Sequence, residues 1–263
     1  MKFNVHAGHT LSGTPGSGAV GLVNESTEVR KIKNEVISLL RQEGHTVYDC
    51  TNDRASSASE NLKNIVTLAN KNKVDLDISI HLNAGVNDSK GDGKTTGVEV
   101  LIYSDGSKAK NEAQRICNEI ASLGFKNRGV KVRNGLYVLK NTNAPALLIE
   151  CFFVDDRDDF NIYNQVGATV IAKAIVQGIL NKKIGVVVEP IKAAPSPSPS
   201  KPNSYLVAIT ASALNVRKGP GTNYGVATSV KKGDVFTIVD ENNGWGKLKS
   251  GAGWISLNYT KRI

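Results

Sequence analysis

A proline-rich segment constrains the fold of this chain more than any other sequence feature. Residues 189–204, EPIKAAPSPSPSKPNS, hold five of the eight prolines, which alternate there with serine. Such a segment is extended and semi-rigid, and it offers almost nothing to a hydrophobic core. The 263 residues are therefore expected to form two separate units. We place the first domain at 1–183, a linker at 184–203 and the second domain at 204–263.

Strand-like and helix-like segments alternate before the linker. Short apolar runs predict strands at 2–8, 45–50, 75–82, 97–104, 135–141 and 145–153. Apolar residues at helical spacing predict helices at 24–43, 56–73, 108–123 and 161–181. This alternation favours an α/β fold, a mixed sheet flanked by helices. In such sheets, functional groups gather where strands end and loops begin.

The sequence after the linker has a different pattern. Short β-branched runs are separated by Gly, Asn and Lys-Gly turns, without a helical period, which predicts a small all-β barrel. Residues 184–263 hold 10 Lys and Arg against 4 Asp and Glu, within a chain of net charge +9. A basic surface favours a polyanionic partner, either nucleic acid or an anionic cell wall. Charge alone does not separate these two.

Composition bounds the compartment. No stretch approaches the ~20 apolar residues of a membrane span, so we expect no membrane insertion. The N-terminus, MKFNVHAGHT, has no hydrophobic run after its lysine and is not expected to be a secretory signal. The three cysteines, Cys50, Cys117 and Cys151, are odd in number and lack a Cys-x-x-Cys spacing. They are expected to be reduced thiols of a protein synthesised in the cytoplasm.

The chain has only four histidines. His81 lies in SIHLNA, where a predicted strand ends. His6 and His9 lie three apart in HAGHT and would point to opposite faces of a strand, so at most one of them joins His81. We prefer His9, because it lies where the loop begins. His45 follows the helix stop at Gly44 and is expected to be a structural or surface residue.

Two histidines at strand ends suggest a zinc site that needs a third protein ligand. Glu25 is the candidate, because the loop 10–23 can carry it back beside His9. Glu150 interrupts the apolar run ALLIECFF, and a buried carboxylate there could serve as general acid and base. The spacings match no short zinc motif. The alternative, histidines bound to loop carbonyls and Glu150 paired with Lys or Arg, stays open on these grounds.

Four motifs occur in order: Gly8-His9, Asn24-Glu25, SIHLNA and LLIECFFVDDRDD. Over about 1–181 they resemble the zinc-dependent N-acetylmuramoyl-L-alanine amidases of bacterial wall remodelling, spore lysis and phage endolysins. The resemblance implies that His9, Glu25 and His81 bind Zn²⁺ and that Glu150 is catalytic. It also implies hydrolysis of the amide between N-acetylmuramic acid and L-alanine of the peptidoglycan stem peptide, with Glu150 passing a proton from water to the alanine nitrogen.

The second domain resembles the bacterial SH3-like wall-binding domains. The similarity covers about 204–263 and rests on LNVR at 214–217, GPGTNY at 219–224 and GWI at 253–255. It implies peptidoglycan as a second ligand, and thus a targeting role. Trp245 and Trp254 either offer aromatic surface to the wall or pack the barrel; both alternatives stay open.

Other functions compete with this one. A zinc peptidase acting on the stem peptide or cross-bridge would use the same site, and a non-catalytic wall-binding protein would keep the fold. A cysteine peptidase would use Cys151 or Cys50, and nucleic acid is not an expected partner. Without a signal, the enzyme is expected to act on the wall after release. That favours a phage endolysin over a sporulation enzyme. The oligomeric state and the part played by His6 and Asn83 are left open.

Overall fold

The computed structural model describes residues 1–184, 205–222, 224–242 and 244–262. Contacts within the chain divide it into two compact units, Met1–Val186 and Val187–Ile263. The predicted linker, 184–203, lies outside the described residues except for Ile184, and the three domain bounds stay a prediction. No helix among the described residues combines the length and the apolar character needed to cross a membrane.

The first unit is a mixed sheet flanked by helices, as predicted; its described residues form six strands and five helices. Its strands are β1 Lys2–Ala7, β2 Thr46–Asp49, β3 Leu76–Asn83, β4 Val98–Ile102, β5 Asn127–Val132 and β6 Ala146–Phe153. Its helices are α1 Glu25–Gln42, α2 Ala58–Ala69, α3 Lys110–Ala121, α4 Tyr137–Asn141 and α5 Arg157–Leu180. The strand order is β2-β1-β3-β6-β4-β5. Neighbouring strands are parallel except for β4, which runs antiparallel to β6.

The two faces of this sheet differ in chemistry because side chains alternate along each strand. One face is apolar and belongs to the main core, which also includes residues of α1, α3 and α5; its fully buried members include Phe3, Val5, Ile78, Ile80, Leu147 and Ile149. Polar residues are buried on the central strands as well, notably Asn4, His6, Asp77 and Ser79. Since β1, β3 and β6 are neighbouring parallel strands, their C-terminal ends lie on the same side of the sheet, and α2 packs against α4.

The predicted strand at 135–141 is wrong. Tyr137–Asn141 is a single helical turn, α4. Val138 packs with Ile65 and Val66 of α2, and Leu139 packs with Leu148 in a separate small cluster. Tertiary packing therefore overrides the local preference of this apolar run.

Two other boundaries differ from expectation. Strand β5 was not predicted, because NRGVKV is polar and three of its six side chains are exposed, as befits an edge strand. Helix α5 begins at Arg157, four residues before the predicted start, since the Asp156 carboxylate caps it by accepting from the Asp158 and Asp159 amides. Gly167, at φ 75°, interrupts this helix.

The second unit is all β, as predicted. Its strands are β7 Tyr205–Ile209, β8 Ala213–Arg217, β9 Val226–Lys231, β10 Val235–Asn242, β11 Trp245–Leu248, β12 Trp254–Ser256 and β13 Thr260–Arg262. They form one antiparallel sheet in the order β13-β7-β10-β11-β12-β8-β9. A small core that includes Val207, Val216, Ile238 and Ile255 fills its interior.

Candidate active site

Three residues far apart in sequence meet at the edge where β1 and β3 end. His9 Nε2 lies 3.2 Å from Glu25 Oε1, and His81 Nδ1 lies 3.1 Å from the same oxygen. All three potential ligand atoms lie within 4.8 Å of one another. The structure thus brings together the three residues that the sequence suggested as metal ligands.

Glu25 is held in place by its position at the start of α1. The Asn24 side chain caps the helix by accepting from the Thr27 amide, so Glu25 falls in the first turn. Its Oε2 accepts from the Ala19 amide at 2.9 Å and its Oε1 from the Leu82 amide at 3.1 Å. Burial alone would raise the pKa of Glu25, but hydrogen bonds and charge from His81 and His9 hold it well below its usual value. The carboxylate is therefore ionised and oriented.

The two imidazoles are oriented by different means. His9 Nδ1 lies 3.2 Å from the Gly16 carbonyl, which favours the tautomer that carries its proton there and frees Nε2 to face Glu25. Burial lowers the pKa of His81, so this ring is neutral near pH 7, whereas at His9 the hydrogen bond and charge of Glu25 outweigh burial and raise the pKa. Neutral imidazole nitrogen and ionised carboxylate are the forms that bind metal ions.

Gly8 and Gly18 give the rings and the carboxylate their space. A Cβ at Gly8 would lie 1.7 Å from His81 Nε2, and one at Gly18 would lie 2.4 Å from Glu25 Oε2. No side chain can occupy either position without displacing one of the three converging groups. The Gly8-His9 motif therefore has a steric reason beyond the histidine itself.

Glu150 lies beside this cluster. Strand register pairs it with His81 of β3 on one side and with Glu99 of β4 on the other. Its Oε2 is buried without a hydrogen-bond partner among the described residues. Burial, with the nearby charges of Glu25 and Glu99, raises the pKa of Glu150 to about 8. Among the residues that the structure describes, no Lys or Arg forms an ion pair with Glu150, and Arg128 pairs with Glu99.

Sequence reasoning missed Glu99. It accepts from Asn83 Nδ2 at 3.1 Å and from Arg128 Nε at 2.7 Å, and it is 7% exposed. The signal was present, since Glu99 interrupts the apolar strand VEVLI much as Glu150 interrupts ALLIECFF. Asn83, whose part was open, bonds Glu99 and the Ala84 amide.

The other two histidines stay outside the cluster. His6 is fully buried, and its Nε2 lies 3.0 Å from Asp77 Oδ1. His45 is half-buried, with its Nδ1 3.4 Å from the N-terminal amine. Both agree with the expectation that His9 alone joins His81.

The geometry does not favour a cysteine nucleophile. All three cysteines are free and buried. Burial, followed by the charges of Asp77 and Asp49, raises the pKa of Cys50 to about 12, and burial raises the pKa of Cys151 as well. Reactive thiols need the opposite shift and solvent access.

An apolar pocket of about 210 Å³ adjoins the histidines. His9 and His81 form part of its wall, and Leu62 of α2, Val138 of α4 and Leu148 of β6 form much of the rest. The helical turn α4 therefore forms part of the pocket wall. Pockets of this kind, apolar with a few convergent polar groups, are typical ligand sites.

A second set of acidic residues, Asp88, Asp156 and Asp158, also converges. Their oxygens accept backbone N–H groups of the loop 91–96 and of α5 itself. This cluster fastens a loop to a helix start.

The second unit has a groove of about 390 Å³. Asn215, Arg217, Trp245 and Tyr259 are among the residues that line it. Trp245 is half-buried and so presents part of its ring there, and Tyr259 is 53% exposed. Trp254 is also half-buried, and Lys247 Nζ lies 5.9 Å from the centre of its ring.

Comparison with known families decides what this arrangement belongs to. The profile of the N-acetylmuramoyl-L-alanine amidases matches residues 4–181, and that of the bacterial SH3 domain matches residues 212–261. The chain belongs to the N-acetylmuramoyl-L-alanine amidase family. It is a peptidoglycan amidase, an enzyme for the bond between N-acetylmuramic acid and L-alanine, with an added SH3 domain.

Individual relatives agree. An uncharacterized protein of Clostridium perfringens is 30% identical over 245 residues, which cover 92% of this chain and 69% of that one. The endolysin of Bacillus phage SPP1 is 30% identical over 158 residues, 58% of this chain and 55% of its own. The solved catalytic domain of the CD27L endolysin, described as targeting Clostridia difficile, is 35% identical with a TM-score of 0.63. That match covers 70% of this chain and 99% of that domain.

Proposed function

We propose that this amidase is zinc-dependent, with His9, Glu25 and His81 as the metal ligands and Glu150 as the catalytic acid and base. One observation carries the proposal. Two imidazole nitrogens and a carboxylate oxygen converge within 4.8 Å, beside the buried, unpartnered carboxyl oxygen of Glu150.

The donor set fits zinc. Tetrahedral zinc with ligands about 2.0–2.2 Å away has those ligands roughly 3.3 Å apart, close to the 3.1 and 3.2 Å separations about Glu25 Oε1. Three protein ligands with a fourth position open are usual for catalytic zinc. A zinc ion held there would act as a Lewis acid toward the scissile carbonyl and lower the pKa of water.

The residues around the ligands hold their orientation. The Gly16 carbonyl fixes the His9 ring, and the Ala19 and Leu82 amides fix both oxygens of Glu25. Partners of this kind keep ligand groups in position and tune their basicity. Both the three donor atoms and the groups that orient them are therefore consistent with a zinc site.

Glu150 supplies the proton transfer. Its ionised carboxylate accepts a proton from the attacking water, and the resulting carboxylic acid donates that proton to the alanine nitrogen as the amide breaks. A general acid and base works best when its pKa lies near the operating pH, and burial moves the pKa of Glu150 to about 8. Its place beside His81 in the sheet puts it within one strand spacing of the ligand cluster.

The SH3 domain is proposed to hold the enzyme on peptidoglycan. Its groove with Trp245, Tyr259 and Arg217 offers aromatic faces and a cation, which suit an acidic glycopeptide. Tethering a binding unit raises the effective concentration of the catalytic unit at an insoluble substrate. The net charge of +6 over 184–263 adds attraction to an anionic wall.

The setting proposed is a phage endolysin made in the cytoplasm and acting on the wall after release. The similarity to endolysins supports it. A sporulation enzyme is the alternative, since a sporulation-specific amidase of Bacillus subtilis is 31% identical over 163 residues.

Digestion of purified cell walls tests the function. We expect turbidity loss that a chelator stops and zinc restores, near-stoichiometric zinc in the protein as purified, and products with a free N-terminal alanine by mass spectrometry. Intact muramyl-alanine bonds in the digest would instead support a zinc peptidase, and no turbidity loss would support a non-catalytic wall-binding protein.

A matched pair of variants isolates the proton-transfer role. Glu150→Gln should abolish lysis yet keep the bound zinc. Glu35→Gln, on α1 about 15 Å from Glu25, should leave both unchanged.

A further inference from the structure

Four strands place polar side chains in one row, from the candidate metal site to the edge of the sheet. His81 of β3 pairs in register with Glu150 of β6, and Glu150 pairs with Glu99 of β4. Arg128 of the edge strand β5 extends the row, because its Nε donates to Glu99 Oε2 at 2.7 Å. The row ends in a cation that the catalytic mechanism does not use.

The Arg128 guanidinium is fixed on one side and free on the other. It lies over the Phe153 ring, 5.0 Å from its centre, and its Nε is engaged by Glu99. Its two terminal amino groups have no hydrogen-bond partner among the described residues, and the side chain is 32% exposed. A guanidinium held in this way can bind a carboxylate through two parallel hydrogen bonds.

Glu99 makes no hydrogen bond with the terminal amino groups of Arg128. Its Oε2 is bound by Arg128 Nε and its Oε1 by Asn83 Nδ2. Both oxygens of this buried carboxylate are therefore satisfied already. The terminal amino groups are left to bind a ligand from solvent.

The position suits a group on the substrate peptide. Strands lie about 4.8 Å apart, so β5 is roughly 14 Å from β3, and the reach of Arg128 toward Glu99 shortens that span. An extended peptide advances about 3.3 Å per residue. A stem peptide that starts at the scissile amide can therefore bring the carboxylate of one of its first few residues to Arg128.

We propose that Arg128 binds the free α-carboxylate of the glutamyl residue of the stem peptide and makes the enzyme prefer stems with this carboxylate to stems in which it is amidated. This assignment rests on the proposed amidase site, because it takes the scissile bond to lie at the His9–Glu25–His81 cluster. Arg128 is a residue of substrate recognition, outside the group that performs the chemistry.

Two synthetic substrates test it. N-acetylmuramoyl-L-alanyl-D-glutamyl peptides are prepared with the α-carboxyl of the glutamyl residue either free or converted to the carboxamide. Wild type should cleave the acid with a kcat/KM about tenfold higher, mainly through KM, as expected for charge-assisted hydrogen bonds at a half-exposed site. Arg128→Lys keeps a cation beside Glu99 but loses the planar fork, so this ratio should fall toward one.

Arg133→Lys is the matched control. It replaces an exposed arginine just beyond the far end of β5 and should keep the wild-type ratio. Equal kcat/KM for the two substrates in wild type would overturn the assignment. So would an equal loss on both in Arg128→Lys, which would mean that Arg128 acts only by holding Glu99. Failure of wild type to cleave either peptide would overturn the proposed amidase site itself.

Discussion

Replacing Gly8 with alanine perturbs the site through a single methyl group. Gly8 follows β1, and a Cβ there would lie 1.7 Å from His81 Nε2 and 1.9 Å from Cε1. Real Cβ contacts are essentially never shorter than 3.0 Å. The imidazole must therefore retreat from 1.7 Å to at least 3.0 Å, a shift of about 1.3 Å, or β1 must move by as much.

The size of that shift sets the expected loss. Metal–ligand distances tolerate deviations of about 0.2 Å, so a shift several times larger removes His81 from the ligand set. Even changes behind a ligand cost roughly 10- to 100-fold in metal affinity, and misplacement by ~1 Å can cost about 100-fold in rate. We expect zinc affinity and kcat/KM each to fall by at least about 100-fold. Overpacking should also cost about 1–3 kcal/mol of stability.

The assay combines three measurements on one preparation. Zinc content is measured by mass spectrometry after dialysis, activity on a soluble muramoyl peptide, and unfolding by urea denaturation. Gly106→Ala is the control, because an added Cβ at that exposed turn meets nothing nearer than Ser104 Oγ at 3.9 Å. A Gly8→Ala protein with wild-type zinc content and activity would refute the idea that His81 is confined against β1 as a ligand.

Three further substitutions have testable outcomes. Glu150→Gln should lower kcat by at least about 100-fold. In chelator-treated protein, the folded Glu150 carboxyl keeps its proton up to a pKa of about 8, whereas in the unfolded chain it loses the proton near 4.5. Glu150 therefore lowers the free energy of unfolding as the pH rises from about 5 to 8, and Glu150→Gln should remove this contribution, which denaturation at both pH values checks. Gly178→Ala places a Cβ 2.6 Å from the Ile116 amide nitrogen, so urea denaturation should show that the free energy of unfolding falls by about 1–3 kcal/mol. Activity per folded molecule should be normal. Unchanged stability would contradict the close packing of α3 on α5. Trp245→Ala should weaken co-sedimentation with purified walls yet spare cleavage of soluble muramoyl peptides, and undiminished sedimentation would exclude the groove as the wall contact.

Much of the site could be predicted from local pattern. His81 and His9 stand where apolar strands give way to loops, and Glu150 breaks an apolar strand, so each is visible against its neighbours in sequence. Glu25 follows a helix-capping asparagine. The mixed sheet flanked by helices and the all-β second unit also follow from periodicity, because burial of one face forces the spacing of apolar residues.

Local pattern failed where a neighbour distant in sequence decides the structure. The run at 135–141 is apolar enough for a strand, yet packing against α2 and β6 makes Tyr137–Asn141 a helical turn that walls the apolar pocket. The sequence of β5 is too polar to predict a strand, and this segment is recognised as a strand only by its pairing with β4.

The sequence alone showed which polar side chains interrupt apolar segments. Such side chains need a hydrogen-bond partner, a metal or a substrate when they are buried. The sequence could not say which partner each one meets. Strand register and the close approach at Gly8 decided that. Strand register placed Glu99 beside Glu150 and Arg128 beside Glu99, and within the described part of the chain it left Glu150 without a cation. The reason is physical: contacts between strands depend on alignment across the whole sheet, which no single segment specifies.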